Sequence, residues 1–162
     1  MQDLRTMDDA AYMRLAIEKA REGIAGGELP FGACIVKAGK VIGCAHNTIL
    51  SDEDLTAHAE MNAIREACNE IDSLDLSGCT IYCTCVPCPM CLGALLLANV
   101  ENVVYGARIG DVLMDGFTVV ETPDELLRLI GDGKIRYLGD FLRDENVELF
   151  REWEKLRKRV SH

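Results

Sequence analysis

Basic residues are scarce in this chain. Its 162 residues carry 17 Lys and Arg against 27 Asp and Glu, a formal net charge of −10 at pH 7, with a pI near 4.7. A surface that neutralises several phosphates needs the opposite balance, so the composition argues against a nucleic-acid partner. Long apolar runs are also missing. The longest, 92–100, is broken by Gly93 and Asn99 and falls far short of the ~20 residues that span a bilayer. The first ten residues show no basic-then-apolar leader, and no repeat, linker or low-complexity tract interrupts the chain. These shortages predict a soluble, cytoplasmic protein with no membrane partner. What is present is ordinary globular composition, 49% hydrophobic and 27% charged. The length suits one domain, 1–162, that buries roughly 70% of its unfolded surface.

Cysteine, by contrast, is plentiful. Without a leader, the eight cysteines read as reduced thiols or metal ligands rather than a disulfide frame. Cys34, Cys44 and Cys68 are scattered, whereas Cys79, Cys83, Cys85, Cys88 and Cys91 crowd together. The local patterns predict a first helix capped by Asp8 or Asp9, with an apolar stripe at Tyr12, Leu15/Ala16 and Ala20, ending at Gly23. A hairpin of strands 31–36 and 40–45 turns at Ala38-Gly39, and Thr56 caps a second helix, 57–71. Buried strands are expected at 79–83 and 103–105, the latter stopped by Gly106, with an apolar helix, 89–98, between them. A helix 122–130, a strand 135–138 and a terminal amphipathic helix 144–158 complete the chain. Strands alternating with helices point to an α/β layered sandwich.

In the second helix Ala57, Met61, Ile64, Cys68 and Ile71 recur at steps of three and four, which defines the predicted buried face. Glu60 falls at its edge. A carboxylate there either reaches solvent or an Arg partner, or is buried at a cost that some other charge or hydrogen bond must offset. His58 stands two positions earlier. On a regular helix such positions diverge by about 200°, so the pair converges only if His58 lies off the helix start, where it falls.

The second half is Pro87-Cys88-Pro89-Met90-Cys91. Pro89 suits the first position of the following helix, and the helix N-terminus favours thiolates. C-x-x-C alone fits a thioredoxin-like redox pair or half of a metal site. With His58, Cys88 and Cys91 make three ligands, the number that leaves a catalytic zinc one place for water. A rival reading groups Cys83, Cys85, Cys88 and Cys91 around a structural zinc or an iron–sulfur cluster, and leaves His58 and Glu60 unexplained.

His58-Ala59-Glu60 followed by Pro87-Cys88-Pro89-Met90-Cys91 matches the H-x-E…P-C-x-x-C signature of zinc nucleobase deaminases. With Pro30-Phe31-Gly32, Asn47, Leu92-Gly93-Ala94 and Tyr105-Gly106-Ala107-Arg108, the chain resembles the cytidine/deoxycytidylate deaminase superfamily over nearly its whole length. The branch is that of guanine deaminases, yeast-type cytosine deaminases and tRNA adenosine deaminases. The resemblance implies a three-layer α/β/α sandwich around a mixed sheet of about five strands, and usually a homodimer or higher oligomer. It implies one Zn2+ per subunit on His58, Cys88 and Cys91, with Glu60 as the proton carrier. Asn47 would hydrogen-bond the base, Phe31 would stack on it, and Ala59 would present a backbone N–H at the reaction centre.

In guanine-deaminase-like relatives the C-terminal segment, here bearing Trp153, closes over a pocket. The spacing of Trp153 with Leu149, Phe150 and Leu156 fits core or dimer packing as well. Asp111 either lines the pocket or serves a surface loop. The chain departs from its relatives at Val86, where the tRNA and guanine enzymes commonly carry Glu. It departs again at Thr118-Val119, after Gly116-Phe117, where guanine-type enzymes place acids; Glu121 is the nearest acid here. The expected activity is hydrolytic deamination of a free amino-substituted nucleobase or related small heterocycle, of cytosine or guanine type. The alternatives are a tRNA adenosine-to-inosine deaminase, disfavoured by charge, and a non-catalytic zinc-binding module.

Overall fold

Near-continuous burial along the three central strands, 32–37, 79–85 and 102–107, shows that both faces of the sheet are covered. The computed structural model describes residues 7–112, 119–130 and 132–160. In chain order it contains α1 (Met7–Ala25), β1 (Gly32–Lys37), β2 (Lys40–His46), α2 (Ile49–Asp52), α3 (Ala59–Ile71), β3 (Cys79–Cys85), α4 (Pro89–Leu97), β4 (Asn102–Ala107), α5 (Asp124–Leu129), β5 (Arg136–Leu138) and α6 (Arg143–Val160). The sheet runs β2-β1-β3-β4-β5. The β1 strand is antiparallel to β2 and β3, while β3, β4 and β5 are mutually parallel.

Successive side chains along a strand go to opposite faces, so every second one shares a face. Ala33, Ile35, Ile81, Cys83, Val103 and Tyr105 join one cluster, which includes Ala59, Ala63 and Ala67 of α3 and Leu92 and Leu95 of α4. Val36, Tyr82 and Val104 join the other, with Met13, Ile17 and Ala20 of α1 and Leu149 of α6. Helices therefore cover both faces of a mixed five-stranded sheet, the three-layer arrangement expected from the sequence.

The hairpin turns where predicted: Ala38 and Gly39 both have positive φ (48° and 79°), the combination of a type I′ turn, which matches strand twist. Other details differ. The α1 helix already runs through Asp9, whose carboxylate accepts the Tyr82 hydroxyl instead of capping. Its inward stripe is Met13, Ala16, Ile17 and Ala20, leaving Leu15 44% exposed. His58, not Thr56, is the residue that opens α3, and a short α2 occupies the preceding loop.

The inward face of α3 is Ala59, Glu60, Ala63 and Ala67, not the bulkier Met61, Ile64, Cys68 and Ile71, which are half-buried. The reason lies across the interface. A Cβ on Gly43 of β2 would sit 2.4 Å from Ala63 O, so helix backbone rests directly on strand backbone and only small residues fit between. Gly106 does not stop β4, which continues through it to Ala107. On the open edge of β2, Cys44 N–H donates to Glu66 Oε2 (2.9 Å) and His46 O accepts from Asn62 Nδ2 (3.0 Å).

The expectation of uniformly reduced cysteines fails at one pair. Cys34 and Cys44 face each other in the β1–β2 register and are joined by a disulfide, with Cα atoms 4.0 Å apart. The hairpin register, unreadable from cysteine spacing alone, brings them together. Among the described residues no helix is long and apolar enough to cross a membrane.

Candidate functional site

Two helix starts converge on one point. His58 takes the extended conformation of an N-cap (φ −67°, ψ 156°) ahead of α3, and Cys88 does the same (φ −69°, ψ 166°) ahead of α4, with Pro89 at its first position. Lying off the helix, His58 escapes the 200° divergence that would otherwise separate it from Glu60. Cys91 follows within the first turn of α4. His58 Nδ1 is 3.7 Å from Cys88 Sγ and 3.6 Å from Cys91 Sγ, and the two sulfurs are 3.6 Å apart.

These separations test the donor set against a metal. Tetrahedral zinc, with bonds of about 2.3 Å to sulfur and 2.0–2.1 Å to nitrogen, needs donor separations of about 3.8 Å between sulfurs and about 3.6 Å from sulfur to nitrogen. The triad meets both. All three donor atoms lie within 4.8 Å of one another, and Cys83 and Cys85 fall outside the group. The four-cysteine arrangement is therefore not the one the fold assembles.

Electrostatics prepare the ligands. The Cys88 thiol is lowered to about 4, first by its hydrogen-bond contact with Cys91 and then by His58. His58 is raised, chiefly by its hydrogen bond with Cys88. Cys91 is raised by the same sulfur contact and by burial. One thiolate is thus already favoured before any metal arrives. Deeper in β3, burial pushes the Cys83 and Cys85 thiols up, so they remain neutral.

Glu60 is 8% exposed, and its Oε2 accepts from Cys91 Sγ at 3.6 Å. Burial raises its pKa, which places a proton within easy reach of this carboxylate. It adjoins the donor triad without being part of it.

The loop after β2 closes one side. Asn47 N–H donates to Phe31 O (3.3 Å) and Thr48 N–H to Ala57 O (2.9 Å), which ties Phe31 and Asn47 to the residue before His58. Asn47 is 1% exposed; its Nδ2 donates to Leu29 O, and its Oδ1 is buried without a partner. Ala59 is fully buried at the first position of α3, where a backbone N–H has no partner within its helix.

Phe31 meets Phe150 of α6 edge-on, with centroids 5.6 Å apart. Trp153, one turn on, is buried in the same cluster and lies under the Arg157 guanidinium. Asp111 is not in this group. Its carboxylate accepts from Arg143 (2.6 Å) and from the Arg108 N–H (2.9 Å). Gly116, Phe117 and Thr118 lie outside the described residues; Val119 packs on the core, and Glu121 is exposed. One residue of the neighbourhood escaped sequence reading: buried Thr122, whose hydroxyl donates to Pro87 O at 2.8 Å. Thr-Pro before a helix signals a cap, and nothing in sequence indicates a bond across 35 residues.

The family model for the cytidine and deoxycytidylate deaminase zinc-binding region matches residues 6–107. The chain belongs to this family. The matched zinc-binding region spans His58, Cys88 and Cys91, whose donor atoms could hold a zinc ion, and the family is one of hydrolases acting on C–N bonds. The chain is 44% identical over 96 residues to a tRNA-specific adenosine deaminase of Aquifex aeolicus, covering 59% of this chain and 64% of the relative. It thus spans a little under two thirds of that relative's length. It is 42% identical over 112 residues to the guanine deaminase of Bacillus subtilis, covering 68% of this chain and 72% of that one. A solved structure of a guanine deaminase from Nitrosomonas europaea superposes with a TM-score of 0.83 at 28% identity, covering 95% of this chain and 87% of the other.

Proposed function

We propose that this deaminase hydrolyses a free amino-substituted nucleobase or a related small heterocycle, of cytosine or guanine type, and releases ammonia. The observation that carries the catalytic part is Glu60: a buried carboxylate in contact with a zinc ligand while outside the ligand set. When bound, zinc supplies a Lewis acid at this point and allows water to ionise near neutral pH. Glu60 takes the proton of the attacking water and gives it to the ring nitrogen beside the amine-bearing carbon. It then takes the remaining proton of the newly added hydroxyl and passes it to the amine; the C–N bond breaks, ammonia leaves, and the carbon keeps the water oxygen as a carbonyl. The raised pKa of Glu60 suits a group that must both accept and donate.

Asn47 Oδ1, buried and unpartnered, accepts an N–H of the ring; an unfilled acceptor in such a place costs about 1–3 kcal/mol that the substrate relieves. Phe31, steadied edge-on by Phe150, offers the ring a face. Ala59 N–H points the start of α3 at the reacting carbon's oxygen. The proposed partner beyond the substrate is a second copy of the chain.

Support for a small substrate over a tRNA comes from the basic side chains. Arg14, Lys19, Arg21, Lys40, Arg108 and Arg143 each hold an acidic partner at 3.0 Å or less, so their charge is already balanced within the chain. The superposition on a guanine deaminase also extends through most of the chain. The test is ammonia release from zinc-loaded protein offered cytosine, guanine, adenine, their nucleosides, ammeline and a tRNA anticodon stem-loop. Turnover of a free base that disappears in Glu60→Ala supports the reading; turnover of the stem-loop alone replaces it with the tRNA enzyme.

A further inference from the structure

The stretch entering α4 has few backbone groups with which to hold itself. Pro87 and Pro89 have no N–H, and the Cys88 carbonyl is taken by Leu92 N (3.0 Å) inside α4. Val86 N–H ties the loop to Ala107 O of β4 at 2.9 Å. From the other side, Thr122 grips the Pro87 carbonyl, one residue before a zinc ligand.

Thr122 is 5% exposed, and its hydroxyl is not spent on its own helix. Pro123 is the N-cap of α5 and makes no side-chain capping bond. The segment that carries Thr122 is itself fastened to the end of β4. Arg108 Nη1 binds Asp124 (3.0 Å), its Nε binds Asp140 (2.9 Å), and the guanidinium lies over the Tyr105 ring. The β4 strand therefore holds the zinc loop twice, directly through Ala107 and again through Arg108, Asp124 and Thr122.

We propose that Thr122 is a positioning residue of the zinc site: its hydroxyl fixes the Pro87 carbonyl and so the backbone that presents Cys88. It touches neither metal nor substrate. The proposal rests on the zinc-deaminase reading and deepens it, since the cysteine geometry depends on a residue outside both halves of the motif.

Thr122→Val keeps the shape and removes the donor, leaving Pro87 O buried and unpaired. Thr122→Ser keeps the donor and drops a methyl. The Val variant is expected to release zinc to a colorimetric chelator roughly tenfold faster than the wild type, the rate equivalent of about one hydrogen bond, with the Ser variant within about twofold. On whichever base proves active, kcat falls by a similar factor in the Val variant while KM stays nearly constant. Zinc release unchanged in Val, or Ser as impaired as Val, overturns the proposal, the second by assigning the effect to packing. Should Val not fold, Thr122→Ala set against Thr122→Ser makes the same comparison. Zinc release is read without substrate. A Val–Ser split in a protein that deaminates no base therefore sustains this proposal and sinks the free-base reading, whereas base turnover without the split does the reverse.

Discussion

Glu60 Oε2 lies 3.6 Å from Cys91 Sγ, so a buried carboxylate touches one member of the candidate donor triad and stands apart from the triad itself. That relationship separates two quantities that a simple ligand would link, metal content and turnover.

Glu60→Ala is expected to keep one zinc per chain and to lose turnover by about 10²–10⁴-fold, the usual worth of a positioned proton carrier. Metal analysis and ammonia release on the same preparation check it. Zinc loss in this variant would make Glu60 a ligand and remove its assigned role.

Cys85→Ala is expected to retain both zinc and activity. Cys85 is buried in β3 outside the donor group, so its loss leaves a small void worth about 1 kcal/mol of stability and nothing more. A metal-free Cys85→Ala protein would revive the four-cysteine site.

Asn47→Ala is expected to keep zinc and lower kcat/KM by about 10- to 100-fold, since it removes the unpartnered acceptor offered to the ring. Equal kcat/KM for the variant and the wild type would show that Asn47 only shapes its loop.

Acid should loosen the segment after β4. Asp111 is held below its ordinary value first by its hydrogen bonds with Arg143, then by the Arg108 N–H. Because its folded pKa is depressed, its contribution is fully present above the unfolded value of about 3.9 and is lost as pH falls through the lower folded one. The difference in Tm between wild type and Asp111→Asn is therefore expected to be largest near neutral pH and to shrink as pH falls below the unfolded value and through the depressed folded one. A gap that persists in acid would mean that the ion pair is not its source.

The grouping of the candidate site is legible in the sequence because metal-binding chemistry constrains residue type and spacing locally. His58 and Glu60 at one helix start and Cys88 and Cys91 at another stand out by residue type and spacing, and the fold brings the three donors together with Glu60 beside them. Packing was less legible. Apolar spacing points to Met61, Ile64 and Cys68 for the α3 face, but the deciding contact is with Gly43, on a strand some twenty residues earlier in sequence. The Thr122–Pro87 bond and the Cys34–Cys44 pair were hidden for the same reason, since each depends on how separate segments are laid side by side.

The side chains of Glu66 and Asn62 occupy hydrogen-bonding groups along the outer rim of β2. A bare rim of that kind is a template on which further strands can grow, from a neighbouring molecule or from a half-folded copy. With Glu66 and Asn62 bonded along it, the helix that carries Glu60 also takes up part of that template. Substitutions at Glu66 chosen to leave turnover intact would thus be felt first in the test tube as turbidity on storage.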